Sequence, residues 1–131
     1  MTALDTNVLV RILVKDDPEQ TKRGVQLVRK TERRDERFHV SEIVLCEVVW
    51  VLRAVYGFGR KEVAEALLKL VSSRQLVFNA PDRLHRALRA YEAGKGDFAD
   101  YLIREDARAA GCDALATFDS ALLKEELFLS P

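Results

Sequence analysis

Apolar residues along this chain follow two rhythms, short unbroken blocks and longer stretches with one apolar stripe, separated by polar turns. The short blocks read as strands: residues 2–5, Phe38-His39-Val40, the weaker Leu76-Val77-Phe78, residues 114–117 and Leu127-Phe128-Leu129. The stretch from Thr6 to Val14 puts Val8, Leu9, Ile12 and Leu13 on one helical face. Asp17-Pro18-Glu19-Gln20 reads as a helix start, with Asp17 as N-cap and Pro18 in the first helical position, and the helix runs to Arg33. Arg34-Asp35-Glu36-Arg37 is a polar turn. Ser41 is placed to cap a long apolar helix ending near Tyr56, where Gly57-Phe58-Gly59 breaks it. Residues 60–72 carry the stripe Val63, Ala66, Leu67 and Leu70. Helices over 81–93 and 97–110 are closed by Gly94 and Gly111, and a short helix is expected over 119–125. Alternating strands and helices imply an α/β sandwich around a mainly parallel sheet, with residues 2–5 as a buried strand.

One residue interrupts this pattern. Glu47 sits inside Val44-Leu45-Cys46-Glu47-Val48-Val49-Trp50-Val51-Leu52, a run apolar enough for a buried helix. A buried carboxylate costs several kcal/mol unless it is paired, and no lysine or arginine lies in the run. A hard cation from outside is the economical partner; an arginine elsewhere, such as Arg53 or Arg104, is the ordinary one. Other acids stand where strands hand over to helices or where helices begin: Asp5, Asp97, Asp100 and Asp119, each flanked by residues expected to be buried. Taken singly, each is explained as a cap, and Asp97 with Asp100 resembles a capping box. Together they point to one site, because parallel sheets build sites at the carboxyl ends of their strands. Carboxylates without histidine or cysteine suit Mg²⁺ or Mn²⁺, and such ions serve phosphoester hydrolysis.

Composition narrows the field. With 131 residues and 48% apolar content, one domain over residues 1–131 with a substantial core is expected. Basic and acidic residues balance at 21 each, so no global field draws the chain to nucleic acid or membrane. Any phosphate grip must be local, and Arg11 and Lys15, on the helix after Asp5, are better placed for it than the solvated cluster Arg29, Lys30, Arg33 and Arg34. Cys46 and Cys112 lack motif spacing and read as reduced thiols, with Cys46 in the core. No signal segment and no long uncharged apolar stretch is visible, so a cytoplasmic protein without a membrane span is expected. His39 and His85 lack metal-ligand spacing. Gly94-Lys95-Gly96 is too short for a phosphate loop, and Ser41 has no histidine and aspartate pairing for nucleophilic catalysis.

Four segments carry a family resemblance. Leu4-Asp5-Thr6-Asn7-Val8-Leu9-Val10, Ser41-Glu42-Ile43-Val44-Leu45-Cys46-Glu47, Asp97-Phe98-Ala99-Asp100-Tyr101-Leu102-Ile103 and Thr117-Phe118-Asp119 resemble, in order, the four motifs of PIN-domain nucleases. The compact length is similar to the VapC toxins of toxin–antitoxin pairs. The resemblance implies a PIN-like α/β/α sandwich with about four to five short strands in its central sheet. It also implies a Mg²⁺- or Mn²⁺-dependent endoribonuclease leaving 5′-phosphate and 3′-hydroxyl ends. Asp5, Glu47, Asp100 and Asp119 would be the catalytic, metal-binding quartet, with Asp97 as an extra ligand. Thr6, Asn7, Ser41 and Thr117 would orient them. A homodimer and a cognate antitoxin are further implied. The alternatives are a PIN-fold nuclease in RNA processing or on DNA outside any toxin–antitoxin system, and a catalytically silent PIN-fold binding module. An aspartyl-phosphate phosphatase would need an aspartate where Asn7 stands.

Overall fold

The computed structural model describes residues 1–131. They form two compact units, Met1–Asn79 and Ala80–Pro131. The first holds β1 (Thr2–Ala3), α1 (Thr6–Val14), α2 (Pro18–Arg33), β2 (Phe38–His39), α3 (Glu42–Ala54), α4 (Arg60–Val71) and β3 (Leu76–Val77). Its three strands lie in the order β1-β2-β3, and both pairings are parallel. Thr2 faces Phe38 in register, and Phe38 faces Leu76. Because parallel neighbours cannot be joined by a hairpin, a helix pair lies in each connection: α1 and α2, then α3 and α4. The core of this unit is built from Leu4, Leu9, Val10, Phe38, Val40, Leu45, Val48, Leu52, Val63 and Leu67, all nearly or fully buried.

Local chemistry sets the helix starts. Asp17 Oδ1 accepts from Gln20 N at 3.0 Å, and Ser41 Oγ accepts from Val44 N at 3.2 Å, so both expected caps form. Two apolar stripes sit a step away from their expected positions. In α1 the buried residues are Thr6, Leu9 and Val10. In α4 they are Val63, Ala64, Leu67 and Val71, so Ala66 and Leu70 lie at the margin of the buried face. Thr2 and Ala3 are exposed, and only Leu4 of the expected buried strand is inside, because β1 is an edge strand of this sheet.

The second unit holds α5 (Pro81–Ala93), α6 (Phe98–Ala109), β4 (Leu115–Ala116) and β5 (Phe128–Leu129). The two strands pair in parallel with Leu115 opposite Phe128. The helices pack through Leu84, Leu88, Tyr91, Phe98 and Tyr101, with Tyr91 and Phe98 edge to face at 6.3 Å. The expected helix over 119–125 is a series of turns instead. Its bonds span three residues, Leu122 N to Asp119 O at 3.1 Å and Glu125 N to Leu122 O at 2.9 Å. A segment so short cannot offset the cost of nucleating a helix. Across both units the α/β reading stands: six helices and five short strands, every strand pairing parallel. No helix is long and apolar enough to cross a membrane.

The Gly94-Lys95-Gly96 turn is shaped by a close approach. The Tyr101 hydroxyl accepts from Gly96 N at 2.9 Å and donates to the Glu125 carboxylate at 2.8 Å. A Cβ at Gly94 would collide with that hydroxyl, and would stand 2.7 Å from Glu125 Oε1 and 2.8 Å from the Ala90 carbonyl oxygen. The carbonyl is helix backbone and cannot step aside. Gly94→Ala is therefore expected to destabilise the chain by about 1–3 kcal/mol, as overpacking does. Urea unfolding measures this directly; an unchanged midpoint would show that the turn is loose.

Candidate functional site

In the first unit, β1 and β2 run parallel, so Asp5 and Ser41 leave the sheet at the same edge. Asp5 caps α1: its Oδ1 accepts from Thr6 N at 2.7 Å. The buried Thr6 hydroxyl donates to Glu47 Oε2 at 2.8 Å, joining residues 41 positions apart. Asp5, Thr6, Asn7, Arg11 and Glu47 line one cavity of about 370 Å³, walled by Val10, Val51, Val55 and Tyr56. Ser41 does not line it; it fixes the first turn of α3, from which Glu47 is counted. Lys15 does not line it either. Lys15 ends α1 in the left-handed conformation, φ 59°, and is exposed.

Glu47 corrects the strongest expectation from the sequence. It is exposed, not buried. The buried stripe of α3 is Leu45, Val48, Val49 and Leu52. Glu47 lies on the other face with Ile43 and Trp50, which are 72% and 66% exposed. The run is apolar in composition but amphipathic in placement, so burial demands no cation there. Arg53 does not clasp it, since its Nη1 donates to the Phe58 carbonyl; Arg104, in the second unit, is engaged there by Glu105 and the Glu126 carbonyl. Cys46, next to it, is half-buried, so it is not the core residue expected. Burial, then the charges of Glu42 and Glu47, push its thiol up, which keeps it protonated and a poor metal ligand.

Arg11 is held from several sides. Its Nε donates to Gln20 Oε1 at 2.6 Å. Its Nη1 donates to Asp16 Oδ1 at 3.2 Å and to the Tyr56 hydroxyl at 3.0 Å. The Tyr56 hydroxyl donates onward to Asp16 Oδ2 at 2.6 Å. The bond to Tyr56 raises the Arg11 guanidinium, and the bond from Tyr56 holds the Asp16 carboxyl below its ordinary range. The bond to Asp16 pushes the Tyr56 phenol up.

The second unit presents its own acids. Asp97 is the N-cap of α6, and its backbone N–H donates to Asp100 Oδ2 at 2.8 Å, the capping relation the spacing predicts. Burial raises the Asp100 carboxyl, the Asp97 N–H partly counters it, and repulsion from Asp97, Asp119 and Glu125 raises it further. Asp119 follows β4 in a turn: its N–H donates to Thr117 Oγ1 at 3.1 Å and its Oδ1 accepts from Ala121 N at 2.9 Å. Phe118 beside it is 92% exposed, against the expected burial.

The donors gathered within each unit are oxygen atoms, the kind a hard divalent ion takes. The acids beside each other are all carboxylates, and Asp100 carries the mutual repulsion that a cation relieves. Within neither unit do three His, Cys, Asp or Glu side chains come close enough to hold a metal by themselves. Magnesium is commonly held by one or two carboxylates with water filling the remaining positions. Asp16 and Tyr56 on the Arg11 side and Glu125 on the Asp100 side carry no signal of their own in the sequence. Asp16 was masked by Asp17, which has the stronger capping signature, and nothing local marks the other two.

A family model described as the PIN domain matches residues 2–125, a stretch that runs through both units. The VapC ribonuclease of Aquifex aeolicus (strain VF5) is 24% identical over 118 residues, covering 90% of this chain and 87% of that protein.

Proposed function

The chain belongs to the PIN-domain family, and from that premise we propose that it is a metal-dependent endoribonuclease, the toxin of a toxin–antitoxin pair. The similarity to a VapC ribonuclease along nearly the full length of both chains supports this reading. The observation that carries it is the shared cavity of Asp5 and Glu47, tied through Thr6 and flanked by Arg11.

In this reading residues 1–131 act as one domain, and Asp5, Glu47, Asp100 and Asp119 hold Mg²⁺ or Mn²⁺, with Asp97 as an additional carboxylate. When bound, such an ion lowers the pKa of water and screens the charge developing at phosphorus. The chain's own groups do the rest. Thr6 aims one Glu47 oxygen by its 2.8 Å bond and leaves the other free. The cap to Thr6 N fixes Asp5 in the same way. Thr117 shapes the turn that presents Asp119. Asn7, on the first turn of α1, adds an amide to the cavity. Arg11 meets the phosphate backbone, and Lys15, outside the cavity, contributes only long-range attraction. The remaining expectations, a cytoplasmic location, an antitoxin partner and pairing with a second copy of the chain, rest on the family likeness.

Manganese titration followed by thermal unfolding tests the metal. At a roughly hundredfold excess over Kd, a bound ion stabilises by about 2.7 kcal/mol, an upward shift of several degrees. That shift is expected in the wild type and absent in Asp5→Asn. A shift that survives Asp5→Asn would place the ion elsewhere. No shift, with RNA left intact, would favour the silent binding module.

A further inference from the structure

We propose that Asp16 and Tyr56 form a lock that poses Arg11 as the phosphate grip of the cavity holding Asp5 and Glu47, making Tyr56 a positioning residue for one phosphodiester of a bound strand. The inference rests on the nuclease reading above. Its basis is geometric. Asp16 lies in the turn after α1, Gln20 in the first turn of α2, and Tyr56 just beyond the end of α3. Three separate segments thus converge on one guanidinium. The Tyr56–Asp16 bond of 2.6 Å closes the ring.

Two consequences follow from guanidinium chemistry. Nε and Nη1 are engaged by these partners, while Nη2 takes part in none of the bonds, so its two N–H groups remain for a ligand. A planar fork held in place loses little freedom when it meets a phosphate oxygen, whereas a free arginine must first be ordered. Without a net positive field in the chain, one fixed cation beside the acids matters more than a diffuse patch. The shifts of all three groups agree in direction with mutual stabilisation of a charged Arg11, a charged Asp16 and a protonated Tyr56.

The contrast in the second unit is instructive. Arg86, Arg104 and Arg108 converge on the buried Glu105, and Arg108 also reaches Glu126, so those guanidiniums serve an interior carboxylate. Arg11 is instead set against an exposed carboxylate that is itself bridged by a phenol.

The test is a cycle of Tyr56→Phe, Arg11→Ala and the double variant, with cleavage of single-stranded RNA followed in Mn²⁺. Tyr56→Phe is expected to raise KM about fivefold, the cost of ordering one long side chain on binding, with kcat within about twofold. In the Arg11→Ala background it should add nothing. Arg11→Ala should lower the salt slope of binding by about one, and Tyr56→Phe should leave the slope as it is. Asp16→Asn, which keeps the side-chain shape, should follow Tyr56→Phe. An equal KM effect of Tyr56→Phe with and without Arg11 would overturn the lock, because Tyr56 would then act alone. An unchanged KM in both Tyr56→Phe and Asp16→Asn would overturn it too. If wild type leaves RNA intact, the nuclease reading fails by itself, and the lock is decided by the ¹⁵N signal of Arg11 Nε during titration with inorganic phosphate. A response in wild type that is lost in Tyr56→Phe upholds it; the same response in both, or none in wild type, overturns it.

Discussion

Asp5→Asn and Asp100→Asn should each cut the rate of RNA cleavage by about a thousandfold or more, while neither lowers the unfolding temperature. The loss corresponds to about 4 kcal/mol of transition-state stabilisation, a typical contribution of a metal-centred charge. The two halves of the expectation rest on different facts. Asparagine keeps a carbonyl oxygen where each acid makes its structural bond. At Asp5 that bond is to Thr6 N, and asparagine caps helices as well as aspartate does. At Asp100 it is to Asp97 N.

For Asp100 the fold should even gain. Burial and the charges of Asp97, Asp119 and Glu125 raise its carboxyl, so the ionised form is disfavoured in the folded chain. A raised acid destabilises the fold at neutral pH, and that cost fades as pH falls through the raised value. A neutral amide removes it at every pH. Rising stability together with vanishing activity is the signature of a residue kept for chemistry. Steady-state cleavage and calorimetry on the same samples check both. Wild-type rates in either variant would remove that residue from the quartet, and a large drop in unfolding temperature would make it a structural cap.

Sequence legibility divides along chain distance. The caps at Asp17 and Ser41, and the Asp97–Asp100 relation, involve neighbours three residues apart, and the types alone reveal them. All five strands and six helices were legible because each carries its own period or boundary residues. Glu47 shows where this stops. Its run is apolar by count, and count does not say which face turns inward; only the packing of Leu45, Val48, Val49 and Leu52 does. The segment 119–125 had helical composition but lacked the length to nucleate. The Thr6–Glu47 bond spans 41 positions and the Arg11–Tyr56 bond 45, and no local rule reaches so far.

Glu105→Gln should destabilise the chain by about 3–5 kcal/mol, the cost of breaking a buried ion pair on one side. Glu105 is 3% exposed, and three arginines meet it: Arg86 Nε at 3.2 Å, Arg108 Nε at 3.3 Å and Arg104 Nη2 at 3.6 Å. Their exposure decides the ranking. The Arg86 side chain is 54% exposed, so Arg86→Ala should cost under about 1 kcal/mol, like other solvated pairs. Arg104 is 7% exposed, and its guanidinium stacks 5.1 Å from the Tyr101 ring centre and 5.6 Å from that of Phe128. Its Nε has no hydrogen-bond partner. Without the Glu105 charge, Arg104 keeps only the ring faces and a 3.4 Å bond to the Glu126 carbonyl. A buried cation left so is the source of the penalty. Replacing both partners by apolar residues, as in Arg104→Met with Glu105→Leu, should therefore recover most of the loss, since no lone charge remains. Urea unfolding of the single and double variants measures the coupling. A Glu105→Gln cost no larger than that of Arg86→Ala would show that water reaches the cluster and that the pairing of α5 with α6 rests on its apolar contacts alone.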